Sequence, residues 1–233
     1  MKPVDPKPGY IQEKRVIEGV PVLIAGPEDA RAQLVFFHGA GGSKERTLEL
    51  AGPLHALGFL TWHPDALHHG ERGRGEDVFK NRRLIVEAQA ETIEEAPRLI
   101  AAMQSAYPGL KVGALGASMG GYVVHELLCQ GTPLFSAAAL MSAGRPPAWL
   151  RRQLPEGFVP ALDRGGAYGK APLLHVHGEA DPIVPLREAE ATLEALKPRF
   201  APGRLALAVL PGVGHVPRPE MVFLAAGWFL RWL

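Results

Sequence analysis

The sequence predicts an α/β fold, with a mostly parallel sheet covered by helices on both faces and entered through an antiparallel hairpin. Three observations predict it. Short apolar runs alternate with longer stretches patterned for helix, as strands joined by helical crossovers do. Most of these runs are apolar at nearly every position, which suits strands buried on both faces. The chain begins instead with two strand-like runs divided by a tight turn, which reads as a hairpin.

Taken in order, "YIQEKRVIEGVPVLIAG" forms the hairpin, turning near Glu18-Gly19. The sheet then takes "AQLVFFHG", "GFLTWHPD", "KVGALGAS", "FSAAALMSA", "APLLHVHG" and "RLALAVLPG" as strands. Helices are expected at 44–57, 77–107, 119–129, 185–196 and 217–233. Two segments interrupt the alternation. Residues 66–77, "ALHHGERGRGED", are polar and glycine-rich, and residues 144–170 are rich in Pro, Gly and Arg with Trp149, Phe158 and Tyr168 among them. Both follow strands, so both emerge at the carboxyl edge of the sheet, where open α/β sheets bind ligands. Loops of this length are often lids or binding loops. Residues 144–170 are therefore expected to form a small cap within one domain, 1–233.

Composition narrows the function. With 233 residues, 47% of them hydrophobic, the chain can bury a sizeable core. Its 25 Lys and Arg against 24 Asp and Glu leave a formal charge of +1, which argues against a nucleic-acid or membrane-surface partner. Cys129 is the only cysteine, so no internal disulfide forms, which fits a reducing, cytoplasmic compartment. Cys129 is expected to be buried. The opening "MKPVDPKPGY" lacks the apolar segment of a secretory signal. The terminal "MVFLAAGWFLRWL" is too short to span a bilayer and carries Arg231. It is expected to be a buried or half-buried helix, packed on the sheet or partly in a homodimer interface.

Chemistry enters at "VGALGASMGGYVV". Gly116-Ala117-Ser118-Met119-Gly120 matches G-x-S-x-G and lies where a strand turns into a helix. A sharp turn there holds the serine in a strained backbone and leaves no room for side chains beside it. The small residues let Ser118 stand exposed at the sheet edge, and the helix N-terminus favours negative charge there. A serine hydroxyl is a weak nucleophile until a base takes its proton, and that base needs an orienting acid. In such turns the chain order is serine, acid, histidine. After Ser118 the only aspartates are Asp163 and Asp181, and after Asp181 the only histidine is His215. Asp181 and His215 each sit just past a strand end. Asp163, in the expected cap, and Glu179, on the Asp181 loop, are reserve acids.

An oxyanion hole needs two amides. One is that of Met119, directly after the serine, and the other comes from the loop "HGAGGSKE", where Ala40 is the choice. Ser43 suits the cap of the following helix, and His38 suits a structural role in the loop. Trp149, Phe158 and Tyr168 are substrate-binding candidates that either line an acyl pocket or anchor the cap. His175-x-His177 would share a strand face but has no third ligand at suitable spacing apart from Asp181, already used in the triad. Adjacent His68-His69 would point apart on a strand though a loop could gather them, so no metal or other cofactor is expected.

These motifs, with "DALHHGER" from Asp65 to Arg72, "HGEADPIVP" and "GVGHVP", carry a resemblance over essentially the whole chain. The chain resembles small bacterial serine hydrolases of the α/β-hydrolase superfamily. It resembles the esterases grouped with dienelactone hydrolases and prolyl-oligopeptidase-like catalytic domains. Residues 65–72 are similar to the D-x-x-x-H-G-x-R segment after the fourth strand of several such esterases, where it shapes the loop and the acyl side of the pocket. The resemblance implies a three-layer α/β-hydrolase fold and a cofactor-free carboxylic-ester hydrolase acting on a small-molecule ester. It also implies Ser118, Asp181 and His215 as the triad, with Ala40 and Met119 as oxyanion donors. One departure is that dienelactone hydrolases use a cysteine nucleophile where this chain has serine. The expected activity is cleavage of small to medium carboxylic esters through an acyl-enzyme. A thioesterase, lactonase or short-peptide hydrolase would use the same groups, and a non-catalytic binding protein would keep the same fold.

Overall fold

The computed structural model describes residues 9–130, 134–154 and 168–233. Eight strands form one sheet: β1 (Tyr10–Ile17), β2 (Val20–Pro27), β3 (Ala32–Phe37), β4 (Phe59–Pro64), β5 (Val112–Ala117), β6 (Ala137–Met141), β7 (Leu173–Gly178) and β8 (Leu205–Leu210). Their order is β1-β2-β4-β3-β5-β6-β7-β8. The contacts β1 to β2 and β2 to β4 are antiparallel, and every pair from β4 to β8 is parallel. The hairpin turns at Glu18 and Gly19, both at positive φ (50° and 85°), with Ile17 opposite Val20. That is the two-residue turn whose twist matches that of the flanking strands.

Alternation along the strands divides the core in two. Leu34 and Phe36 of β3 face one side, with Leu54 and Phe229, while Val35 and Phe37 face the other, with Leu99, Val123 and Leu127. The first side is covered by α1 (Lys44–Leu50), α2 (Gly52–Ala56) and the terminal α8 (Pro219–Trp232). The second is covered by α4 (Arg83–Ala106), α5 (Met119–Cys129) and α7 (Leu186–Leu196). The short helices α3 (Asp77–Lys80) and α6 (Ala148–Arg151) lie in the two segments that broke the alternation. Residues 155–167 of the expected cap lie outside the described residues.

Two long helices expected from the sequence are interrupted. The 44–57 helix breaks at Ala51 because Pro53 brings no N–H and its ring blocks continuation. The 77–107 helix breaks at Asn81, whose backbone is extended and whose side-chain oxygen accepts the Arg83 amide (3.2 Å). Helix α8 buries Met221, Val222, Ala225, Ala226 and Phe229 and leaves Phe223 and Leu224 exposed. Cys129 is half-buried rather than buried, because it ends α5 at the margin of the core. Among the described residues no helix is long and apolar enough to cross a membrane.

The strand order reverses direction between β3 and β5. The loops after these two strands therefore diverge to opposite sides of a crevice at the carboxyl edge. Ser118 follows one strand and residues 38–42 follow the other.

Candidate active site

Ser118 is the single residue between β5 and α5, at φ 48° and ψ −111°. Its neighbours explain why the chain can turn so tightly. A Cβ on Gly116 would overlap the Gly120 carbonyl, one on Gly120 would overlap the Phe37 carbonyl, and one on Gly121 would lie 2.5 Å from the Ala143 methyl. The turn is tied to the next strand by the Ser118 amide, which donates to the Met141 carbonyl (2.8 Å).

The loops after β7 and β8 meet above this turn. Gly178 has no Cβ where the Val213 and Gly214 carbonyls approach, and the Ala180 amide donates to Val213 (2.9 Å). This contact brings His215 between Asp181 and Ser118. His215 Nδ1 is 2.8 Å from Asp181 Oδ2, and His215 Nε2 is 2.8 Å from Ser118 Oγ. A carboxylate only accepts, so the proton sits on Nδ1 and Nε2 is left to accept the serine hydroxyl. The other carboxylate oxygen of Asp181 accepts the amides of Ile183 and Val184, both at 2.9 Å. Burial pushes the Asp181 carboxyl up, but the bonds from His215, Val184 and Ile183 outweigh it and hold the group below its ordinary value. Buried His177 donates from Nε2 to the Val184 carbonyl (2.8 Å) and braces the same turn. Of the reserve acids, Glu179 accepts the Gly212 amide (3.1 Å) at the surface, and Asp163 lies outside the described residues.

On the opposite wall, a Cβ on Gly39 would stand 3.4 Å from the Ser118 Cβ, so the 38–42 loop lies directly against the serine. Ala40 and buried Met119 belong to one apolar cluster with Ala66, Leu67, Val78, Leu84, Ile85, Ala88 and Trp149. Phe79 is largely exposed and covers Gly41, which sits at φ 73°. Sequence reasoning missed Leu67, Val78, Phe79 and Leu84. The apolar positions at helical spacing after Asp77 carry a signal for the last three, whereas Leu67 lies in a polar, glycine-rich stretch that carries none.

The three aromatic candidates separate. Trp149 reaches the cluster, donates from Nε1 to the Ile183 carbonyl (3.4 Å) and carries the Arg82 guanidinium 5.0 Å over its ring. Phe158 lies outside the described residues. Tyr168 is not at the site. It precedes β7 at the amino edge of the sheet and is buried in the main core, with its hydroxyl within hydrogen-bond distance of His125 on α5. His175 is also in that interior, its ring 5.2 Å from the ring of His125. Half-buried His68 pairs with Glu87 (3.1 Å), while His69 is buried. Among the described residues no group of three or more His, Cys, Asp or Glu could hold a metal ion.

Comparison with known proteins agrees in outline. The family described as "Serine aminopeptidase, S33" matches residues 28–167. A solved structure, TT1662 from Thermus thermophilus, is 34% identical, with a TM-score of 0.84 over 96% of this chain and 98% of that one. "Putative esterase YitV" of Bacillus subtilis (strain 168) is 26% identical over 95% of this chain and 98% of its own length. "Monoglyceride lipase homolog" of Monkeypox virus is 34% identical over 110 residues, which are 47% of this chain and 37% of the viral protein.

Proposed function

The chain belongs to the serine aminopeptidase S33 family of α/β hydrolases, and from that premise we propose that it cleaves small to medium carboxylic esters through an acyl-enzyme on Ser118. The relay from Ser118 through His215 to Asp181, with both links at 2.8 Å, carries this reading. As the Ser118 oxygen attacks the ester carbonyl, its proton passes to His215 Nε2, and buried Asp181 stabilises the imidazolium. The carbonyl oxygen gains charge at the amides of Ala40 and Met119. The amide of Met119 opens a helix and has no intrahelical partner. When the intermediate collapses, His215 returns its proton to the departing alkoxide, and the acyl group stays on Ser118. Water then attacks the acyl-enzyme by the same route, giving the acid and free serine. The apolar cluster beside Met119 suits an uncharged acyl or alkyl group. The described part of 144–170 supports the cap reading where it carries Trp149 to that cluster.

The description of the matching family favours a second reading, hydrolysis of a short peptide from its amino end by the same groups. One experiment separates the two. Hydrolysis of p-nitrophenyl esters from acetyl upward, beside aminoacyl p-nitroanilides, is measured for wild type and Ser118→Ala. Ester turnover lost in the variant supports the proposal, and the chain-length optimum reports pocket depth. Turnover of anilides alone moves the assignment to peptides. Ester turnover by pure Ser118→Ala at the wild-type rate would sink the nucleophile.

A further inference from the structure

The loop bearing Ala40 is gripped by two buried imidazoles. His38 donates from Nδ1 to the Gly39 carbonyl (2.8 Å) and accepts the Ala66 amide at Nε2 (3.1 Å). His69 donates from Nδ1 to the Leu67 carbonyl (2.8 Å) and accepts the Gly41 amide at Nε2 (3.0 Å). A carbonyl only accepts and an amide only donates, so each ring is neutral and in one tautomer. Burial keeps both that way, pushing His38 down to about 4 and lowering His69. The rings lie 4.9 Å apart.

These bonds act on the two peptide planes that flank Ala40. The Gly39 carbonyl is fixed by His38 and by the Gly42 amide (2.9 Å). A peptide unit is planar and trans, so fixing that carbonyl points the Ala40 N–H the opposite way. The next plane holds the Ala40 carbonyl and the Gly41 N–H, and His69 fixes it. Gly41 at φ 73° has no side chain to hold this geometry, so the restraint has to come from outside. The segment that carries His69 is anchored on both sides of it. Asp65 accepts the amides of Lys44 and Glu71 (2.9 Å each), and Arg72 makes a two-point contact with Glu95 of α4 (2.7 and 2.8 Å). Gly75 closes over the ring, where a Cβ would stand 3.1 Å from it.

We infer that His69 is a positioning residue for the oxyanion site: its acceptor nitrogen, with His38, holds the Ala40 amide aimed at the reacting carbonyl. The inference rests on the proposed esterase reading. The test compares His69→Leu, which deletes the acceptor, with His69→Gln, whose side-chain oxygen can reach the Gly41 amide. The readouts are kcat and KM on the best p-nitrophenyl ester, affinity for a phenylboronic acid as tetrahedral mimic, and Tm. His69→Leu is expected to lose about 10- to 100-fold in kcat with KM within about twofold, and to bind the boronate correspondingly more weakly. His69→Gln is expected to recover most of both. If His69→Leu does not fold, His69→Asn replaces it, since that shorter amide keeps the Leu67 contact and falls short of Gly41. Wild-type kcat in the Leu variant, a loss residing in KM, or a Gln variant no better than Leu overturns the inference alone. Absence of any Ser118-dependent turnover in wild type overturns it together with the esterase reading.

Discussion

Ser118 bears the clearest conflict between stability and function. Its φ of 48° at ψ −111° lies where a residue with a Cβ is strained, at a cost of about 1–3 kcal/mol. Glycine tolerates that backbone but loses about 0.5–1 kcal/mol through the freedom it gains unfolded. Ser118→Gly is therefore expected to abolish turnover yet raise Tm by a few degrees, roughly 1 kcal/mol in a chain of this size. Ser118→Ala should abolish turnover at unchanged Tm. Thermal melting of both variants decides this, and a lower Tm for the glycine variant would remove strain from the account. For Asp181→Asn, kcat is expected to fall by about 10³ to 10⁴, because an amide nitrogen facing Nδ1 favours the wrong tautomer of His215. The Asn oxygen can still accept the Ile183 and Val184 amides, so Tm should change little, and steady-state kinetics with melting curves check both halves.

At the scale of elements, the β5–α5 turn works because three glycines remove side chains where backbones cross. Gly120→Ala would push a methyl into the Phe37 and His38 carbonyls, atoms of β3 and its loop that cannot rotate away. A cost of about 3 kcal/mol or more is expected, seen as a Tm loss of several degrees or as failure to fold. An unchanged Tm would mean that β3 shifts freely, contrary to its complete burial. The strand runs were legible because continuous apolarity has few alternatives in a chain this long. Helix ends were less legible. Pro53 signals its break in the sequence, whereas the break at Asn81 goes with an extended backbone and a side-chain bond to the Arg83 amide, neither of which periodicity reports.

For the whole molecule, the buried histidines set the response to acid. Burial pushes His38 to about 4, His63 and His125 to about 3, and His175 well below its ordinary value. In the unfolded chain these groups take protons near pH 6.5. Between those limits the unfolded state binds more protons than the native state. Stability is then complete above about pH 6.5 and falls as pH drops toward 4. Four such groups give a slope of roughly 5 kcal/mol per pH unit in the middle of that window, against a total stability of about 5–15 kcal/mol. Acid unfolding is expected near pH 5, and Tm measured from pH 8 to 4 tests it. A Tm that stays flat to pH 4 would contradict neutral burial of these rings.

The sequence by itself determined the alternation of strand and helix, the hairpin, the elbow at Ser118, and the order in which Asp181 and His215 follow it. Those features are local: periodicity, glycine spacing and position after a strand end are all written in neighbouring residues. Tertiary structure alone decided which side chains share the crevice. It removed Tyr168, because the residue enters β7 at the amino edge and finds His125 in the core. It added Leu67, Val78 and Phe79, because the 66–80 segment folds back over the loop after β3. It turned His69 inward onto Gly41 and left half-buried His68 beside Glu87. Two adjacent histidines look alike in a sequence. Backbone direction, set here by His68 at φ 65° and Gly70 at φ 53°, decides which of them meets the loop.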